Sequence, residues 1–423
     1  MPLSASTAFS FRPSRAGRAA AVVLGLVLAV NTGCASRASG VMLPEPQAAA
    51  ANTSKVDLMV ATTRAPSGDP ATLFTGERGV DLKVDAVTVS IPPEKNRQPG
   101  QVQWPARLPA DPQKEFATVS VTPVEAADAP RTWFKAHAGK HRRVMVFVHG
   151  FNNTYEDSVY RFAQIVHDSR ADVAPVVFTW PSRASVFDYA YDRESTNYSR
   201  DALEELLQRV THDPAVGEVT LMAHSMGSWL AVEALRQMAI RDRRVSPKIT
   251  QVILASPDLD VDVFAQQMRS LGPDKPQFTV FVARNDKALN FSRRIWGNVD
   301  RLGQVDPSSE PYRTAFATAG IRVVDLTSVD GQDGLGHNKF ADSPEVVRLI
   351  GERLVAGQTI TDSRVGLGDG LGLVAMGTAN AVGDVASLAV RAPIAVFEPN
   401  TQSVFRKRAG GAPRKKADPA ANR

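Results

Sequence analysis

Cysteine is nearly missing from this chain: the 423 residues hold one, Cys34. That excludes an internal disulfide framework and any metal site built on paired thiolates. There is no His-Glu-x-x-His pair and no Gly-rich loop ending in Gly-Lys-Ser/Thr, so neither a zincin nor a P-loop phosphate site is encoded. No motif asks for a cofactor or a metal. Asp258, Asp260 and Asp262 alternate after an apolar run and come closest to a cation site, but this spacing is commoner in a solvated turn. Long apolar runs are scarce too. The best one, Ala19–Val30, is about 12 residues, short of the ~20 that a spanning helix needs.

The excess of positive charge is confined to the ends. Of a formal +5, the tail from Arg406 to Arg423 contributes +6, with seven Lys/Arg and one Asp. Arg12, Arg15 and Arg18 add +3 near the start, which leaves the body at −4. A nucleic-acid-binding face is therefore not expected.

Three arginines, a short apolar run and then Asn31-Thr-Gly-Cys34 describe a secretory signal with a lipoprotein-like cleavage box, although Asn31 stands where an aliphatic residue is usual. The expectation is removal of residues 1–33, acylation of Cys34 and a membrane-anchored location in the cell envelope. The plainer reading is an ordinary cut near Ala35-Ser36 that discards Cys34.

Residues 34–54 are small and polar and read as a tether. Over 55–135, alternation at Val56/Leu58/Val60, Val80/Leu82/Val84 and Val87/Val89/Ile91 predicts short strands, a β-rich lead-in packed against the next region of the chain. From 136 to 358 strands alternate with helices. Val144–Val148 is continuously apolar, as in a strand buried on both faces, and Ala202, Leu203, Leu206, Leu207 and Val210 carry a helical period. The expected fold class is α/β, a mostly parallel sheet flanked by helices. Residues 181–198 read as a lid or acyl-pocket segment. Residues 359–423 open glycine-rich, continue as a weakly apolar, partly helical stretch over 374–397, and end in a basic, disordered tail.

The chemistry centres on Ala223-His-Ser-Met-Gly227, between an apolar strand and a helical pattern. A tight strand-to-helix turn lifts a serine above the sheet and aims backbone N–H groups at the same point. It needs small residues two before and two after the serine; here they are Ala223, in place of the more usual Gly, and Gly227. The alternative is a serine that merely caps a helix. In folds built around such an elbow the acid and then the histidine follow the serine in the chain. One of the seven histidines follows Ser225, His337, in the glycine-rich stretch Asp333-Gly-Leu-Gly-His337. The acid is Asp286, after the second strand beyond the elbow, or Asp258, after the first; strand order favours Asp286. His149-Gly150-Phe151 follows a buried strand, so the Phe151 N–H is expected to join that of Met226 in an oxyanion hole.

Val-His-Gly-Phe-Asn-Asn-Thr, Phe-Thr-Trp-Pro-Ser, Ala-His-Ser-Met-Gly-Ser and Ala-Ser-Pro-Asp together resemble bacterial α/β-hydrolases of unknown function, loosely termed esterase/lipase superfamily enzymes. Val60-Ala-Thr-Thr-Arg64 and Phe74-Thr-Gly-Glu-Arg-Gly79 extend the likeness over roughly residues 55–355. The resemblance implies an α/β-hydrolase fold with a serine triad and assigns no substrate. The expected activity is hydrolysis of a small-molecule or lipid acyl ester through an acyl-enzyme. The competing expectation is a non-catalytic envelope scaffold on the same fold.

Overall fold

The computed structural model describes residues 38–126, 128–351, 374–375 and 395–397. The expected signal segment, Cys34 and the basic tail lie outside the described residues.

Seven strands form the centre of one sheet: β1 (Ser54–Pro66), β4 (Arg143–Val148), β5 (Ala174–Thr179), β6 (Glu218–His224), β7 (Ile249–Ala255), β8 (Gln277–Val282) and β9 (Arg322–Asp325). They run in the order β9-β8-β7-β6-β4-β5-β1, and every pairing among them is parallel. Two antiparallel strands, β2 (Phe74–Ile91) and β3 (Ala117–Pro123), complete the far edge. Parallel neighbours demand crossovers, and helices supply them: α1 (Tyr155–Ser169), α2 (Tyr189–His212), α3 (Gly227–Asp242), α4 (Val261–Ser270) and α5 (Lys287–Ile295). Both sheet faces are covered, which is why Val144 to Val148 are all buried.

Four regions are defined more closely than the sequence reading gave them. The β-rich lead-in is present and joins the central sheet edge to edge. Met59 to Thr62 of β1 pair with Val176 to Thr179 of β5, so it continues the same sheet. Part of the expected tether is packed. Val41 and Met42 are buried, and the Val41 carbonyl accepts from Thr118 Oγ1 and Tyr160 Oη, both at 2.8 Å. Residues 189–198 of the supposed lid form the first turns of α2. At the opposite edge of the sheet, the described ends of the 374–397 stretch, expected to be partly helical, are short strands, Val374–Ala375 and Ala395–Phe397; the second pairs with β9.

Local chemistry places the helix that follows β4. Thr154 and Asp157 form a reciprocal capping box, each side chain accepting from the other's backbone N–H at 3.2 and 3.0 Å. Such a cap stabilises a helix start by about 1 kcal/mol and fixes where the loop 149–153 must end.

Candidate active site

The chain leaves β6 at His224, turns at Ser225 and enters α3 at Gly227. Ser225 has φ of +51°. For a non-glycine residue this conformation costs about 1–3 kcal/mol and persists only where the surroundings impose it. Here they do. The Ser225 N–H donates to the Ala255 carbonyl at 2.9 Å, and the Asp258 N–H donates to the Ser225 carbonyl at 3.1 Å. The turn is pinned to the end of the neighbouring strand on both sides.

Two glycines let the adjacent loop close on this turn. A Cβ on Gly227 would sit 2.2 Å from the His149 carbonyl oxygen, and one on Gly150 would sit 2.9 Å from Ser225 Cβ. The strand position two before the serine is more forgiving: Ala223 is fully buried between Val148 and Leu254 in the ladder. Gly150 therefore touches the serine. The residues next in line, Phe151 and Met226, carry the two N–H groups expected to hold an oxyanion. No side chain caps the start of α3, so its first N–H groups are not spent on a cap.

Asp286 follows β8 and is completely buried. Its carboxylate is divided between two tasks. Oδ1 accepts from Leu289 N at 2.9 Å and caps α5; Oδ2 accepts from His337 Nδ1 at 2.6 Å. The His337 ring lies 4.7 Å, centroid to centroid, from that of His224, the residue before Ser225. Burial by itself pushes the His337 imidazolium down, but the charge and hydrogen bond of Asp286, with the charges of Asp258 and Asp333, outweigh it. Its pKa ends above the ordinary value of 6.5.

The histidine loop has supports that its sequence does not advertise. Asp333 accepts from three successive N–H groups, those of Gly336, His337 and Asn338, at 2.6, 2.9 and 2.9 Å. Lys339 is buried and donates to Asn285 Oδ1 and to the Leu326 carbonyl, both at 2.9 Å. It ties this loop to the residue beside Asp286.

Asp258 lies elsewhere in the network. Its Oδ2 accepts from Tyr189 Oη at 2.7 Å and its Oδ1 from Ser292 Oγ at 2.6 Å, with Arg301 Nε at 3.5 Å. Of the two carboxylates weighed from sequence, the structure brings Asp286 to His337 and gives Asp258 to Tyr189. Asp260 caps α4 through the N–H groups of Asp262 and Val263. Among the described residues, no group of three or more metal-ligating side chains converges.

The other two histidines of the site are held neutral. His149 stacks on Trp180 with centroids 4.7 Å apart, and burial first, then the Arg64 charge, lowers its pKa to about 3. His224 packs against His337 and Phe340, and burial drives it well below the ordinary range.

One residue supports the site in a way that its sequence does not announce. Arg64, fully buried at the end of β1, donates from Nη2 to the Asn153 carbonyl at 2.7 Å, from Nη1 to the Ser182 carbonyl at 2.9 Å and from Nε to Thr179 Oγ1 at 2.8 Å. Asp192 of α2 works from the other side. It accepts from Ser182 Oγ at 2.5 Å, and Ser182 Oγ in turn accepts from Asn153 N at 3.1 Å. The loop carrying Phe151 is thus clamped between a buried cation and a buried carboxylate.

A family model described as "Alpha/beta hydrolase of unknown function (DUF900)" matches residues 126–353, just over half of the chain. An uncharacterized protein of Nostoc sp., alr1448, is 39% identical over 67 residues, which are 16% of this chain and 17% of that one. The match thus spans about a sixth of that relative's length. Among solved structures, a predicted CIB-like hydrolase from Thermoplasma acidophilum is 15% identical, with a TM-score of 0.30 over 52% of this chain and 89% of the other. A hyperthermophilic esterase from Pyrobaculum calidifontis is 14% identical, with a TM-score of 0.30 over 74% and 88%. Likeness this remote carries neither substrate nor mechanism across. The family match covers the elbow at Ser225, six of the seven parallel strands and both residues of the Asp286–His337 pair, and the chain belongs to this family of α/β hydrolases of unknown function.

Proposed function

We propose that the protein is a serine hydrolase of acyl esters. The observation that carries this reading is the Asp286–His337 hydrogen bond, its imidazole packed on His224, the residue before a serine held at positive φ. With Nδ1 donating to Asp286, the histidine presents Nε2 as the free acceptor. Ser225 Oγ attacks the acyl carbon while its proton passes to His337 Nε2. The carbonyl π electrons move onto oxygen, held by the N–H groups of Phe151 and Met226. The oxyanion collapses, the C–O bond to the alcohol breaks, and the leaving oxygen takes the proton from His337. Water then repeats the sequence on the acyl-serine and restores the enzyme.

The experiment is labelling with a fluorophosphonate alongside a broad panel of acyl esters. An activated serine displaces fluoride from phosphorus; a capping serine does not. Stoichiometric label on Ser225, absent after denaturation and in Ser225→Ala, is expected. A folded wild type that takes no label and hydrolyses no ester turns the reading to a scaffold.

Export and acylation at Cys34 complete the proposal and set the enzyme at a membrane surface. Cells fed labelled fatty acid should mark the wild type, and Cys34→Ala should remove both the mark and the membrane association. A soluble, unmarked wild type refutes the anchor and leaves the hydrolase untouched.

A further inference from the structure

Two arginines beside Ser225 are short of partners. Arg301 is 6% exposed, yet its Nε has no hydrogen-bond acceptor. Its ion-pair contact is Asp258 Oδ1 at 3.5 Å, and both oxygens of that carboxylate already accept from Tyr189 and Ser292. Two further carboxylates near Arg301 are occupied too: Asp260, which forms an isolated backbone bridge with it, caps α4, and Asp300, its neighbour in the chain, accepts from Tyr312 Oη at 2.5 Å. Arg193, on α2, is half-buried. Its guanidinium carbon stands 3.7 Å above the ring of Trp229, and among the described residues its side chain makes no hydrogen bond or ion pair. A guanidinium carries a planar fork of N–H donors, and removing them from water without acceptors is costly.

The charges do not balance. Arg193 lies within the fields of Tyr189, Asp258 and Arg301, so two guanidiniums share one buried carboxylate. Glu194, which also acts on Arg193, is solvent-exposed. Burial, the largest cause, and the like charge of Arg301 hold the Arg193 pKa below its ordinary range, against the pull of Tyr189 and Asp258.

Three contacts place this cluster against the nucleophile. Asp258 N donates to the Ser225 carbonyl at 3.1 Å. Trp229 is one helical turn beyond the elbow, its N–H on the Met226 carbonyl at 3.2 Å. The Tyr189 ring meets that of Phe151 edge-on at 5.1 Å.

We infer that Arg193 and Arg301 form a subsite for an oxyanion, a carboxylate or a phosphate group carried by the substrate, so that the preferred esters are anionic. Planar bidentate recognition of such groups is what a guanidinium does best, and the stack on Trp229 holds the Arg193 fork in one plane. This rests on the ester-hydrolase reading above, and its test separates the two.

Purified full-length protein is assayed on matched pairs. Monomethyl glutarate against methyl hexanoate places the charge on the acyl side; 4-acetoxybenzoate against phenyl acetate places it on the alcohol side. Wild type should favour the charged member of one pair. In Arg193→Gln the charged-to-neutral ratio of kcat/KM should fall about tenfold or more through KM, with partial recovery in Arg193→Lys. Melting curves confirm that each variant is folded. Trp229 and Trp296 flank the two arginines, so tryptophan fluorescence reads occupancy without turnover. Glutarate and inorganic phosphate are titrated separately at constant ionic strength; the one that saturates identifies the oxyanion, and saturation should vanish in Arg193→Gln. An unchanged kinetic ratio in folded Arg193→Gln overturns the inference while the hydrolase stands. Saturation in a protein that hydrolyses no ester keeps the subsite and removes the hydrolase.

Discussion

Ser225→Ala, His337→Ala and the double variant are expected to fall to the same residual rate, about 10⁶-fold below wild type in kcat. In the proposed mechanism the serine supplies the attacking oxygen and the histidine makes it a nucleophile, so each is useless without the other. Once one is gone the second has nothing left to lose. The remaining rate comes from the N–H groups of Phe151 and Met226 and from substrate binding, which neither substitution touches. The structure favours clean variants. Ser225 is 4% exposed and its backbone is held by Ala255 and Asp258, so removing Oγ leaves those bonds in place. The positive φ of +51° persists with alanine, so a small loss of stability relative to a glycine at this point is expected. Kinetics on the best ester from the panel, with melting curves for all three variants, measure this. Additive losses, the double variant falling well below either single one, would mean that the two residues act independently and that the base is another group.

Much of the fold was legible because its strands are short apolar runs between helical periods. Two features hid the rest. Pairing partners leave no mark on a strand's own pattern: β1 alternates as a hairpin strand does, and nothing in it announces four residues of parallel register with β5. The start of α2 was hidden by its polarity. Its first turns bury Asp192, Ser195, Thr196 and Ser199, which read as a loop or lid in sequence. Burial is tolerated because each finds a hydrogen-bond partner. Asp192 holds the loop at Ser182 and Arg183, and Ser199 Oγ meets Thr63 Oγ1 at 2.8 Å. Arg64 stands in a stretch that carries the family likeness, but its role at the site is hidden. An arginine at the end of an alternating strand looks like surface, and its acceptors come from residues 75, 153, 179 and 182, which no local window contains. By contrast, Ser225, Asp286 and His337 were named from chain order and strand ends, because an elbow fold constrains order even where it leaves spacing free.

Asp286→Asn should cost about 10⁴-fold in kcat, the size of effect seen when a triad acid becomes an amide. The cause is a wrong tautomer. Asp286 has one oxygen on the α5 cap and the other on His337. An asparagine has one acceptor oxygen, and the Leu289 N–H claims it. The amide NH₂ is left facing Nδ1, which must then give up its proton and accept. The ring proton moves to Nε2, the atom that has to receive a proton from Ser225. A change in pH dependence should accompany the loss. The base works when neutral, so wild-type kcat/KM should rise with pH through a value above ~6.5, in line with the raised pKa of His337. The amide removes the largest raising causes, the charge and hydrogen bond of Asp286, while burial remains. The inflection should therefore move to lower pH, and the small residual activity should persist further into acid. Asp258→Asn is the control. It leaves His337 on Asp286 and strips Arg301 of its carboxylate, so melting temperature should fall, consistent with about 1–3 kcal/mol, with less than about a tenfold change in kcat on neutral esters. A larger kinetic loss in Asp258→Asn than in Asp286→Asn, both folded, would give the acid's role to Asp258 despite the 2.6 Å bond to Asp286.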